Sequence, residues 1–198
     1  MFALWMFGRI LEQVWGSRRF FIYYMVTGLG AVSIHLLVNY LHIHAIQTSA
    51  IAMLNTPSPD VFAAFVTRHF PEYYDQVYSQ FLDKWYLFPN NPIYAEQAAE
   101  YTRQLISLQQ GIPTVGASGA VYGVLLAFGV LFPNTILMLL FPPIPIKAKW
   151  MVIIYGGLEL YLGLTQPGSS IAHFAHLGGM IFGFFLIKLW QRRTDVFY

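Results

Sequence analysis

The chain has 198 residues, 57% of them hydrophobic and 10% charged, with a net charge of +2 and a mean hydropathy of +0.52. A soluble domain carries about 25% charged residues, so this balance points to an integral membrane protein in contact with the lipid bilayer. The lack of cysteine excludes a disulfide framework, a thiolate nucleophile and a cysteine-ligated metal, and the basic residues form no patch of the kind that holds nucleic acid.

A bilayer crossing needs roughly 20 apolar residues. The first apolar segment, Met1 to about Val14, is short and ends in "GSRR". It has no basic region ahead of it and no small-residue cleavage site, so it does not resemble a cleavable signal peptide; it has the character of a membrane helix entered partway. The second, about Phe20 to Leu41, is long enough to span. Residues 44–114 differ in kind, with Asp60, Glu72, Asp75, Asp83, Glu96 and Glu100 against Arg68, Lys84 and Arg103. "SPDVFAAFVTRHF" offers a capping serine or aspartate before a helical pattern, and "PIYAEQAAEYTRQLISLQQG" begins on proline and stops at glycine. This stretch is expected to be a small, mostly helical soluble insertion. The third segment runs from about Val115 to Phe132, and the apolar "TILMLLF" after Pro133 and Asn134 is able to extend it. "PPIPIKAK" leads to a segment from about Trp150 to Leu164, and the last runs from about Ile171 to Trp190. The expected fold is an all-α, polytopic membrane helix bundle. It forms a single membrane domain over residues 1–198, with 44–114 as an insertion.

Charge sorts these pieces by side. Residues 44–114 hold three basic and six acidic groups, whereas the remainder holds eight basic and three acidic ones. Lys and Arg collect in cytoplasmic loops. The "GSRR" turn, the "KAK" turn and the C-terminal tail are therefore expected inside, and the insertion outside. The expected location is a bacterial cell membrane.

In that orientation Ser118, in "GASGAVYG", lies near the outer end of its helix, as do His173 and His176 in "AHFAHLGGMIFG". At 1.5 Å per residue Ser118 is about 21 Å from Phe132, and His176 about 18 Å from Lys188, so the two groups fall at similar depth below the outer surface. Ser118 and Tyr122 are one turn apart and share a face. Gly116, Gly119 and Gly123 are the small residues beside them. His176, Gly179 and Gly183 also share a face, and these glycines let the last helix press close to the serine helix. A hydroxyl beside an imidazole, with an aromatic ring one turn on, has the parts of a nucleophile, its base and an orienting group.

These paired motifs resemble the rhomboid family of intramembrane serine proteases, whose pattern is G-x-S-G with a tyrosine four residues on, then A-H-[LI]-x-G-x-x-x-G on the last core helix. "GRILEQVWG" is similar to the family's G-x-x-x-E-x-x-x-G at Gly8, Glu12 and Gly16. The resemblance implies a Ser-His dyad in which no aspartate orients the histidine: Ser118 is the nucleophile, its backbone N–H helps bind the oxyanion, and His176 is the general base, stacked on Tyr122. It implies Gly179 and Gly183 as close-packing glycines, substrates that are single transmembrane helices cut near the outer face, and no metal or other cofactor. The "TQPGSS" loop, residues 165–170, resembles the family's flexible cap.

The family's H-x-x-x-N, which completes the oxyanion hole, would fall before Met1, as would its first core helix. Two expectations compete: Met1 is an internal methionine of a longer reading frame and the protein is an active protease, or the chain is an inactive relative that binds transmembrane segments without cutting them. Several residues are given blander roles. His173 is expected to line the cavity, and its H-x-x-H spacing with His176 lacks a third ligand for zinc. Glu159, where a carboxylate is expensive, is expected to pair with a polar neighbour or to face the cavity, with a structural role favoured; His35 and Asn39 are expected to form an internal polar contact, and His42 and His44 to be solvated. A transporter would need polar groups from face to face, and the ionisable residues cluster in the outer half instead.

Overall fold

The computed structural model describes residues 2–110, 117–138, 144–165 and 170–194. Two compact units emerge, residues 1–38 with 114–198 and residues 39–113.

In the first unit, helix α1 (Phe2–Trp15) buries Phe7, Gly8 and Leu11 along one stripe. Gly16 ends it with φ +79°, and its N–H donates to the Glu12 carbonyl at 2.8 Å. That left-handed cap is a conformation glycine adopts without a Cβ penalty, and it turns the chain straight into α2 (Ser17–Asn55). The return lays Phe20 over Gly8, where an added Cβ would stand 3.0 Å from the ring. Helix α7 (Ala117–Leu131), helix α8 (Ala148–Thr165) and helix α9 (Ser170–Thr194) complete the unit. Its core gathers Phe7, Leu11, Tyr23, Val124, Ala127, Phe128, Met151 and Ile187.

The described part of "TILMLLF", residues 135–138, does not extend α7, and its last three residues lie outside the described ones. Pro133 has no N–H to continue a helix, and the chain leaves α7 for a small antiparallel hairpin, β1 (Ile136–Met138) with β2 (Pro145–Lys147). Leu137 faces Ile146 across it, and both lean on the unit's core. The rest is an all-α membrane bundle. Among the described residues Ser17–Asn55 and Ala172–Gln191 are long and apolar enough to cross a bilayer, and Ala117–Leu131 is a shorter apolar helix. Exposed Ile153, Ile154, Leu164, Phe185 and Leu189 give α8 and α9 the apolar surface that lipid requires.

In the second unit the C-terminal part of α2 passes the expected stop at Leu41, because Ile46, Ala50 and Met53 recur on one face and are buried there. Helix α3 (Pro59–His69) starts with Pro59 in its first turn, and the Ser58 hydroxyl accepts the Val61 N–H at 3.3 Å. Helix α4 (Tyr74–Val77), a π-helical turn (Tyr78–Leu82), α5 (Asp83–Leu87) and α6 (Pro92–Gln110) follow. Phe62, Phe81 and Trp85 form the aromatic centre, with ring centroids 5.5–6.0 Å apart. His44 is exposed and stacks on Tyr40. His42, expected in solvent, instead has its Nε2 buried without a hydrogen-bond partner.

Candidate active site

Ser118 occupies the first turn of α7, where backbone N–H groups have no acceptor within the helix. Its Oγ is 3.0 Å from Nε2 of His176 on α9. The backbones allow this because they nearly touch one turn away: a Cβ on Gly179 would overlap the Gly119 carbonyl, and one on Gly119 would meet Ala31 of α2 and the Ala175 carbonyl. Small residues permit such crossings in membranes.

The other glycines face a different neighbour. Gly183 abuts the Tyr23 hydroxyl of α2 rather than the serine helix, and Gly123 abuts Thr27. The Tyr23 O–H donates to the Gly123 carbonyl at 2.8 Å. Gly179 thus sets the α7–α9 approach, while Gly123 and Gly183 let both helices close on α2. Gly116 and most of the "TQPGSS" loop lie outside the described residues.

The Tyr122 ring stacks on His176 with centroids 4.1 Å apart and planes 10° from parallel. Its hydroxyl donates to Oε1 of Glu159 on α8. His173 is not simply a cavity wall: its Nδ1 donates to Oε2 of Glu159 at 2.6 Å. His176 Nδ1 lies 3.0 Å from Oε1 but is not aligned for a hydrogen bond. Glu159, only 6% exposed, is therefore the hub of a cluster drawn from α7, α8 and α9. The sequence reading favoured a structural role for it, with pairing to a polar neighbour or a place facing the cavity left open, and it did not name the partners. The one signal available was the cost of placing a carboxylate in an apolar helix, which makes such a group a functional candidate by default.

The same cluster bears on metal binding. One ligand atom each from Glu159, His173 and His176 lies within 4.8 Å of the others, so the third ligand missing from the H-x-x-H spacing is supplied in space by α8. Within the cluster the carboxylate already accepts two side-chain donors.

A family model described as Rhomboid domain matches residues 1–53 and 93–193 of the chain. The chain is also 30% identical over 87 residues to Rhomboid protein 1, mitochondrial, of Saccharomyces cerevisiae, across 42% of the chain and 25% of that relative. The chain thus spans about a quarter of the length of the curated relative it matches. No solved structure matches the chain. The rhomboid domain and the apolar helices support an integral membrane protein, whereas the relative is a mitochondrial protein by name and a bacterial cell membrane gains no support.

Proposed function

Since the chain belongs to the rhomboid family, we propose that it is an intramembrane serine protease that cuts transmembrane-helix substrates with Ser118 and His176. The observation carrying this is the 3.0 Å approach of Ser118 Oγ to His176 Nε2, within the reach a nucleophile and its base require. Ser118 Oγ attacks the scissile carbonyl as His176 Nε2 takes its proton, and the carbonyl π pair moves to oxygen. Collapse breaks the C–N bond, and the proton on Nε2 passes to the leaving amine. Water then repeats the attack on the ester and frees Ser118. The Ser118 N–H, in the first turn of α7, donates to the oxyanion. Tyr122 holds the imidazole plane through its stack. Because a peptide bond inside a helix is shielded, the favoured substrate is a transmembrane segment with small, helix-breaking residues that unwinds near the Ser118 end of α7.

The test uses protein expressed from its complete reading frame and reconstituted in liposomes with a model transmembrane substrate. Ser118→Ala and His176→Ala are expected to abolish cleavage, and a fluorophosphonate is expected to label wild type but not Ser118→Ala. Equal cleavage by all three would refute the proposal. No cleavage by any, with the peptide still bound, would assign the chain to the non-cutting relatives.

A further inference from the structure

We infer that Glu159 is a positioning residue for His176, so that the site works as a serine–histidine–glutamate relay over three helices. This rests on the protease reading above. The order of atoms is that of a carboxylate-oriented base: Ser118 Oγ, then Nε2 and Nδ1 of His176, then Oε1 of Glu159, with 3.0 Å at each of the two gaps. A carboxylate beside Nδ1 keeps the proton there, leaves Nε2 free to accept from the serine, and stabilises the imidazolium that forms, while itself staying ionised.

Glu159 is in turn held in place. Oε2 accepts the His173 Nδ1–H at 2.6 Å, and Oε1 accepts the Tyr122 hydroxyl. Tyr122 therefore acts twice on the base, through the stacked ring and through the carboxylate. The hydrogen-bonded path from His173 to it runs through Glu159, and the two imidazole rings also stand edge to face with centroids 6.4 Å apart. The alignment at Nδ1 needs only a small turn of the carboxylate or ring, and catalytic hydrogen bonds tighten in the Michaelis or transition-state complex.

The test measures kcat, KM and the fluorophosphonate labelling rate, each per folded molecule, for the complete protein in liposomes. Glu159→Gln keeps the shape and an acceptor for Tyr122 but removes the charge. It is expected to lower kcat and labelling by up to about 10⁴-fold, by analogy with a triad aspartate changed to asparagine elsewhere, with KM unchanged. Glu159→Asp should fall between Gln and wild type. His173→Gln should lower kcat by a smaller factor, and add nothing in the Glu159→Gln background, because its effect passes through the same carboxylate. Wild-type kcat and labelling in Glu159→Gln would overturn the inference. So would an additive loss in the double variant with raised KM, which would move His173 onto the substrate and leave Glu159 as packing. If Glu159→Gln does not fold, Glu159→Asp carries the test: its carboxylate is drawn back by about one carbon–carbon bond, and full activity there overturns the inference. Ser118→Ala runs in parallel. Cleavage that survives it would sink the protease reading, whereas loss in Ser118→Ala with none in Glu159→Gln sinks this inference alone.

Discussion

Gly179→Ala adds one methyl group at the narrowest point between α7 and α9. The new Cβ would overlap the Gly119 carbonyl oxygen and stand 2.6 Å from the Gly119 carbonyl carbon. Ordinary carbon–carbon contact is about 3.5–4.0 Å, so the helices must separate by about 1 Å. Backbone atoms cannot rotate out of the way as the end of a side chain can. Gly119 adjoins Ser118, and Gly179 is one turn from His176, so the displacement reaches the site almost undiminished. The 3.0 Å separation of Oγ and Nε2 then opens toward about 4 Å, beyond the reach of a general base. A misplacement of this size costs about 10²-fold in rate, and overpacking costs about 1–3 kcal/mol of stability.

Fluorophosphonate labelling per monodisperse molecule separates the two effects, since it reads Ser118 reactivity without requiring a substrate helix to enter. The control is Gly157→Ala on α8, where an added Cβ meets nothing within 4 Å. It should label at the wild-type rate. Gly179→Ala labelling as fast as wild type would show that the Gly119–Gly179 contact does not set the distance between hydroxyl and imidazole, and the reasoning would fail.

Exhaustive dialysis against EDTA is expected to leave cleavage unchanged, because the proposed proton transfer uses Ser118 and His176 and no metal. A fall restored by zinc would instead assign a metal to Glu159, His173 and His176. Tyr23→Phe should lower thermal stability by about 0.5–1.5 kcal/mol, the worth of a typical hydrogen bond, and leave the labelling rate alone; a tenfold slower rate would place Tyr23 in the machinery. His69 in the second unit is held below the usual histidine range by burial, then by Arg68 and His42. The unfolded chain therefore binds the proton more readily, and stability of the 39–113 unit should decline as pH drops below about 6.5, levelling off below the lowered value. Hydrogen-exchange protection of α3 at pH 7.5 and 5.5 measures this, and His69→Gln should remove the difference; equal protection of wild type at both values would refute it.

The meeting of Ser118 with His176 was within reach of sequence because helical spacing projects each motif onto one face, and the two faces lie at matched depth. Tyr122 follows from the same arithmetic, one turn beyond Ser118. Spacing says less about partners. Glycines at 179 and 183 announce that something comes close, but not that Gly119 meets the first while Tyr23 meets the second. Glu159 was harder still, since its partners are 37 and 14 residues distant on other helices and no period in α8 points to them. The start of "TILMLLF" departs from the helical reading for a local reason: a short apolar run reads equally as helix or strand, and pairing of Ile136–Met138 with Pro145–Lys147 decides it. The end of α2 was misjudged because polar His42, His44, Gln47 and Thr48 break the apolar run, although Ile46, Ala50 and Met53 carry the helix on through burial.

The contact between α7 and α9 does not run through Glu159. Helices α7 and α9 already meet backbone to backbone at Gly119 and Gly179. A buried ion pair replaced by well-packed apolar residues is often neutral or even stabilising, so packing alone favours leucine or methionine at position 159. A charge within a membrane bundle costs about 2.5–3.5 kcal/mol even on the mildest scale. Yet both oxygens of this carboxylate are engaged, and the ring nitrogen it approaches is the one opposite the serine. Hydrogen bonding to His173 and Tyr122 explains how the charge is tolerated but not why it stands beside Nδ1 of His176. Orientation of the base explains both, because the donors that make burial bearable are also those that aim the carboxylate.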